Sequence, residues 1–353
     1  MWLDLSLPSQ GVMLVFFFVL LPLLRWVWPI DSAWEIDEFG IPQGIKNLLY
    51  WVPNLLALIW LVSALALPFI VKLEQQSVIH TLGVWVSIWL GASLTLPACH
   101  ELVHRNGFSG NLGRLLGACL GLISFTEEHR VHHAKSGRGQ DPDCADRLES
   151  VYAFAWRSGV EALLAGWDYE IARQVRQGRS WRTNRIFWTG MIAISFCGLW
   201  FFAQRLPGFF FYLSIALATN FSFRAITFIQ HWGLRQVPSM TDGRGVSWVS
   251  TCAYQSWVTL NISLHEQHHK QPTRTYWKLC SLPTELKLPV TYSFAFLLSL
   301  IPPVFRRMMS PRLDLWLVGA SQGSPIKLVE GCGYPISRVF VAVQERPDPS
   351  KNC

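Results

Sequence analysis

Residues 78–104 read VIHTLGVWVSIWLGASLTLPACHELVH, an apolar run that ends in two histidines four places apart. The run from Val78 to Cys99 is long enough to cross a bilayer, which takes about 20 mostly apolar residues. On a helix, positions i and i+4 share a face, so His100 and His104 offer two imidazoles side by side at one end of the span. Outward from this segment, residues 48–71, 186–203 and 208–229 read as further spans, with weaker candidates at 12–29 and 289–305. Residues 112–125 are apolar but too short to cross, so they are predicted to dip into the membrane and return.

Composition agrees with a bilayer. The 353 residues are 51% hydrophobic and 15% charged, against about 25% charged in ordinary soluble chains. Mean hydropathy is +0.26. Eighteen Trp suit a protein with two lipid–water interfaces. The expected fold is all-α and polytopic, with roughly four to six transmembrane helices under a cytosolic histidine-rich metal cap. One membrane-embedded domain is expected over residues 1–320, followed by a polar tail at 321–353. The net charge of +7 invites nucleic acid, but the basic residues lie between spans, where cytoplasmic retention accounts for them. No nucleic-acid partner is expected. Eight cysteines without a C-x-x-C pair read as small hydrophobes in a reducing compartment.

The arginines between Arg105 and Arg185 place the histidine face in the cytoplasm by the positive-inside tendency. The acidic cluster Asp31, Glu35, Asp37 and Glu38 then falls on the same side if 48–71 and 78–99 both cross. Either one of those segments crosses incompletely, or acidic residues carry little orienting weight. Residues 148–177 read as an amphipathic cytosolic helix pair.

Nine of the ten histidines form four groups, each at or near the expected cytoplasmic end of an apolar segment: His100 and His104; His129, His132 and His133; His231; and His265, His268 and His269. His80 stands alone and reads as structural. One H-x-x-x-H alone would be weak, but nine neutral rings at one membrane face call for a cation. A tetrahedral zinc is saturated by four ligands, so nine imply at least two ions. Imidazole suits Zn, Cu, Fe and Ni over Mg or Ca. His100-Glu101-Leu-Val-His104 also has the zinc-protease pattern, a reading that leaves seven clustered histidines unused. A membrane metal transporter would place ionisable groups along a path near the midplane, whereas these gather at one end. Acidic partners should orient the rings, and Glu101, Glu128, Asp141 and Glu266 are placed for that role, as are Glu127 and Asp143.

These motifs resemble the membrane-bound di-iron alkane and xylene monooxygenases, within the membrane fatty-acid desaturase and hydroxylase superfamily. The similar segments run in order from about Val78 to Arg312: HELVHR at 100–105, EHRVHH at 128–133, Asp141-Pro142, LESVY at 148–152, QHWGL at 230–234, HEQHH at 265–269, PTRTY at 272–276 and Pro302-Pro303. The resemblance implies a helical membrane fold in which the nine histidines hold two Fe ions, with O2 as co-substrate. It also implies a rubredoxin or ferredoxin, with its reductase, as cytosolic electron donor. A bacterial inner membrane, with the metal site facing the cytoplasm, is the expected location. Two positions depart from the alkane-hydroxylase pattern. Only two residues separate His129 from His132, where three are usual, and Gln230 stands where a Glu is usual. The amino terminus is also shorter by about one span. A related branch turns medium-chain fatty acids into 1-alkenes, and this chain resembles it in size and box spacing.

The expected function is therefore oxidation of an aliphatic C–H bond in a membrane-dissolved hydrocarbon or fatty acyl chain, foremost terminal hydroxylation. The alternatives are oxidative decarboxylation and desaturation. Trp89, Ser93 and Leu96 share a helical face with His100 and form a candidate substrate channel. At 1.5 Å per residue, Trp89 lies about 16 Å from His100.

Overall fold

The computed structural model describes residues 14–28, 30, 40–136, 140–235, 247–281 and 285–321. The candidate tail at 321–353 and the acidic positions 31–38 thus fall, apart from Ser321 itself, outside the described residues. A π-helical turn, Phe16–Leu20, leads into a short helix α1, Leu21–Val27. The expected weak span at 12–29 is represented by this short apolar segment.

Helices α2 (Gln43–Ile70) and α3 (Val78–Val103) are each long and apolar enough to cross a membrane. Ser77 begins α3, its side chain accepting the His80 backbone N–H as an N-cap. The two helices are joined at the end remote from the histidines. There Gln204 ties the link down, accepting from Leu73 N at 3.3 Å and donating to Pro68 O at 2.9 Å. Near the start of α2, the Tyr50 carbonyl accepts from the Arg105 guanidinium at 2.6 Å, which puts that end beside the first histidine box. Both segments therefore run the full distance between the two ends of the molecule. Neither segment is too short to cross completely, which removes the first of the two alternatives left open by sequence.

Helix α4 (Gly107–Cys119) folds back along α3, and α5 (Phe125–Lys135) returns. Gly113 permits the close approach: a Cβ there would stand 2.7 Å from Leu102 Cβ. At the turn between them, Gly121 adopts φ +82° against Ala216, a backbone state glycine enters without strain. Thr189 donates to Ile123 O nearby. Thirteen residues span only about 20 Å, so α4 is too short to cross a membrane, and the chain reverses after it into α5.

Residues 148–177 are not a helix pair. A single helix α6, Val151–Arg176, fills the stretch, capped by Ser150, whose side chain accepts from Ala153 N. Neither Pro nor a polar turn interrupts it, and its two glycines are tolerated at a modest cost. Helix α7, Arg185–His231, bends at Arg205 (φ 57°, ψ −150°) just before Pro207, so its 47 residues make two antiparallel spans. Together with α2 and α3 this gives four crossings among the described residues, within the expected range.

Beyond α7 come β1 (Trp248–Val249), α8 (Ala253–Val258), α9 (His265–Lys270), β2 (Leu286–Lys287), α10 (Tyr292–Ser299) and α11 (Pro302–Ser321). The expected span at 289–305 is instead split between α10 and α11, because Pro302 and Pro303 remove the donors that would continue a helix. β1 and β2 pair in parallel, Trp248 opposite Leu286. One apolar core lies among α2, α3, α4 and α7 around Leu102, Leu116 and Trp200. A second, around Phe228, Trp232, Trp248 and Phe305, lies behind the histidine end.

Candidate metal centre

Four helical termini deliver the nine histidines to one place. The end of α3 supplies His100 and His104, and α5 supplies His129, His132 and His133. His231 ends α7, where Ala145 N donates to its carbonyl at 3.3 Å and Gly233 N donates to Ala145 O at 3.0 Å. The short α9 carries His265, His268 and His269. It is too short to stand alone; Gln267 anchors it by accepting from Cys280 N and donating to Cys280 Sγ.

The rings fall into two groups whose ligand atoms lie within 4.8 Å of one another: His100, His104, His129, His133 and His268 in one, and His132, His231, His265 and His269 in the other. In the first, Nε2 of His129 lies 2.9 Å from that of His104 and 3.1 Å from that of His133, which is 3.1 Å from that of His268. In the second, His269 Nε2 lies 3.2 Å from that of His132 and 3.1 Å from that of His265, which is 3.2 Å from His231 Nε2. One Nε2 carries either one hydrogen or one lone pair, so chains of four such atoms cannot be satisfied by hydrogen bonds alone. The buried Nε2 of His100 has no hydrogen-bond partner at all. With metal–nitrogen bonds of about 2.1 Å, ligands at right angles stand about 3.0 Å apart. The observed spacings match that edge, and the all-imidazole donor set suits a transition metal. The residues fit a pair of such ions.

Electrostatics favour lone pairs over protons here. Burial and then the charges of Arg130 and His132 pull His104 down to about 4. Burial, then neighbouring rings, push His129, His265, His268 and His269 well below the usual histidine range, and His133 likewise. His132 departs in the other direction. Burial lowers it, but the Asp141 carboxylate, with support from Asp143 and Glu128, outweighs burial and raises it. Burial raises Asp141, and the charge and hydrogen bond of His132 more than reverse that. Asp141 Oδ2 is 2.7 Å from His132 Nδ1. With Asp141 ionised, Nδ1–H donates to it and the Nε2 lone pair is left facing the second group.

The other acidic candidates are engaged differently. Glu101 accepts from Arg105 at 2.8 Å. Glu128 accepts from Ser124 Oγ at 2.7 Å and from Arg224 at 2.7 Å. Glu127 pairs with Arg114 at 3.0 Å, and Glu266 lies 3.8 Å from Lys270. Asp143 accepts from Ser158 at 2.6 Å and Arg224 at 3.0 Å, and its other oxygen is 3.9 Å from His132 Nδ1. Arg224 escaped the sequence reading. Its signal was available: an arginine inside the apolar run 208–229 has no cheap place in lipid unless buried and paired.

Asp141→Asn keeps the shape but removes the charge that orders His132. It should lower metal affinity or activity about 10–100-fold, measured by competition with a chelator followed by elemental analysis. Retention equal to the unsubstituted protein would contradict this role.

Trp89, Ser93 and Leu96 lie on the half-buried face of α3. Trp89 stacks on Trp85 at 5.7 Å and donates to Ser222 Oγ at 3.0 Å, so the indole is latched between α3 and α7.

Four membrane crossings capped by two buried imidazole cages define a membrane-embedded histidine-cluster metalloprotein. Its sequence, moreover, matches the profile of the fatty acid desaturase family over residues 79–287, and the chain belongs to that family. It is 28% identical to the alkane 1-monooxygenase of Ectopseudomonas oleovorans over 320 residues, 88% of this chain and 79% of that protein. Alkane 1-monooxygenase 2 of Alcanivorax borkumensis is 24% identical, over 87% of this chain and 83% of its own. The hydroxylase component of xylene/toluene monooxygenase from Pseudomonas putida is 23% identical, over 69% and 68% respectively.

Proposed function

We propose that the protein is a non-haem di-iron oxygenase that hydroxylates the terminal carbon of an aliphatic chain dissolved in the membrane. The observation that carries this reading is the convergence of nine imidazoles into two cages at the mouth of apolar spans, in a chain whose relatives include alkane 1-monooxygenases. The five-ring cage would hold one iron through His100, His104, His129, His133 and His268. The four-ring cage would hold the other through His132, His231, His265 and His269. When bound, the pair supplies, with O2 and electrons from a donor, the oxidising power that acid–base side chains lack. The chain's own groups do the rest. Asp141 fixes the His132 tautomer, while Glu128, Arg224 and Asp143 hold α5 against α7. Buried apolar residues such as Phe125, packed on His100 and His129, keep water from the rings.

The electron donor is a cytosolic rubredoxin or ferredoxin with its reductase, and the site faces the cytoplasm from a bacterial inner membrane, a placement supported by the basic loops between Arg105 and Arg185. Purified protein supplied with iron, a donor system and dodecane should consume O2 and give dodecan-1-ol by mass spectrometry. Undecene from dodecanoic acid, with no alcohol from dodecane, would overturn the hydroxylase reading in favour of decarboxylation.

Trp89 shares the half-buried face of α3 with Ser93 and Leu96, and as the proposed end of a substrate channel along that face it would stop a chain about 16 Å from His100. Trp89→Ala should shift the accepted chain length upward, read as the ratio of hexadecane to decane turnover. An unchanged ratio would remove Trp89 from the channel.

A further inference from the structure

Helix α6 is turned inside out relative to a helix of a water-soluble protein. Its polar side faces inward. Ser158 donates to Asp143, the Glu170 carboxylate accepts from Arg173 and from Arg185 N at 2.8 Å, and Gly166 stands so close to α5 that a Cβ would lie 3.0 Å from Glu128 N. Its outward side is apolar: Tyr152, Trp156, Val160, Leu164, Trp167 and Ile171 recur at helical spacing, with Trp156 78% and Leu164 58% exposed. Asp168 and Arg176 are the charged residues among the exposed positions of this helix. Water would make such a face unstable. Yet α6 is not among the helices long and apolar enough to cross a membrane.

We infer that α6 lies in the cytoplasmic leaflet, inclined from the headgroups into the acyl region, with this face covered by lipid acyl chains. Its depth comes from its contacts. At its amino end the Tyr152 ring stacks on Phe221 at 6.0 Å and its hydroxyl donates to Leu300 O at 2.9 Å. Phe221 precedes His231 by ten residues in α7, about 15 Å along the helix, so this end sits well below the metal level. The apolar face is therefore continuous with the outer surface of a membrane span. At the carboxyl end, Arg173 donates to Thr183 O at 3.1 Å where α7 begins. Arg176, Arg179 and Arg182 are exposed there beside exposed Trp181 and Trp188. Tryptophan and arginine together mark the headgroup level, and the arginines suit anionic lipid. The consequence is that one helix thickness separates lipid from α5 and its three histidines.

The test is photocrosslinking in native membranes, with benzoylphenylalanine placed at position 156 or 164 and, as reference, at position 59, an exposed site on the spanning helix α2. The expected result at 156 and 164 is a mass increase of one phospholipid, as at 59. A crosslink to a second copy or to another protein overturns the inference, as does absence of a lipid adduct at both sites while position 59 gives one. Two independent positions keep the test decisive if one variant fails to accumulate.

Discussion

On the di-iron reading proposed above, replacing His231 with alanine is expected to abolish oxygenase activity while leaving about half of the bound iron in place. The reason is the partition of the rings. His231 belongs to the four-imidazole cage, its Nε2 3.2 Å from that of His265, and it is fully buried. Three imidazoles hold a divalent ion far more weakly than four. The five-imidazole cage contains no atom of His231 and should keep its ion. His104→Ala makes the converse case, thinning the five-ring cage to four, and should be milder in metal content. Elemental analysis against protein concentration, with Mössbauer spectra of iron-57-loaded protein, reads both. Loss of all iron from His231→Ala would mean that the cages do not fill independently. Full iron with full activity would remove His231 from the site.

This partition was only half legible in the sequence. At about 100° per residue, positions i and i+4 lie about 40° apart while i and i+3 lie about 60° apart on the other side. His129 and His133 therefore aim together, as do His265 and His269, and in each box the i+3 ring, His132 or His268, aims elsewhere. The structure uses that divergence to exchange one ring between boxes, so that His132 joins the α9 pair and His268 joins the α5 pair. Spacing predicts the divergence, but the exchange depends on how α5 and α9 approach each other, which is a tertiary fact. The spans were readable because lipid imposes length and hydropathy. Residues 148–177 were read as a helix pair, but neither Pro nor a polar turn breaks them and they form the single helix α6; an apolar stripe in the sequence does not say which side faces the protein. Of the acidic candidates, the structure sets Asp141 against a ring, whereas Glu101 and Glu127 are held by arginines.

Arg224→Met should be the most destabilising single substitution away from the histidines. The guanidinium is buried and bridges two helices and a loop: Nη2 to Glu128 Oε1 at 2.7 Å, Nη1 to Asp143 Oδ1 at 3.0 Å and to Ser158 Oγ at 3.3 Å. Removing one partner from a buried ionic cluster leaves the others uncompensated, at about 3–5 kcal/mol. Lysine restores the charge but not the fork that reaches both carboxylates, so Arg224→Lys should fall between. The pH dependence has a definite sign. Burial already raises the Glu128 carboxyl, and Arg224 opposes that rise, so the methionine variant carries a Glu128 with a higher folded-state pKa. A group raised in the folded state supports stability below its unfolded pKa and loses that support as pH rises. The deficit of Arg224→Met should therefore be larger at neutral pH than in mild acid, measured by thermal unfolding in detergent. A purely steric role for the side chain would give the same deficit at both. Adding Glu128→Gln and Asp143→Asn to Arg224→Met removes the orphaned charges, and should recover stability if unpaired carboxylates, not a lost contact, are the cause.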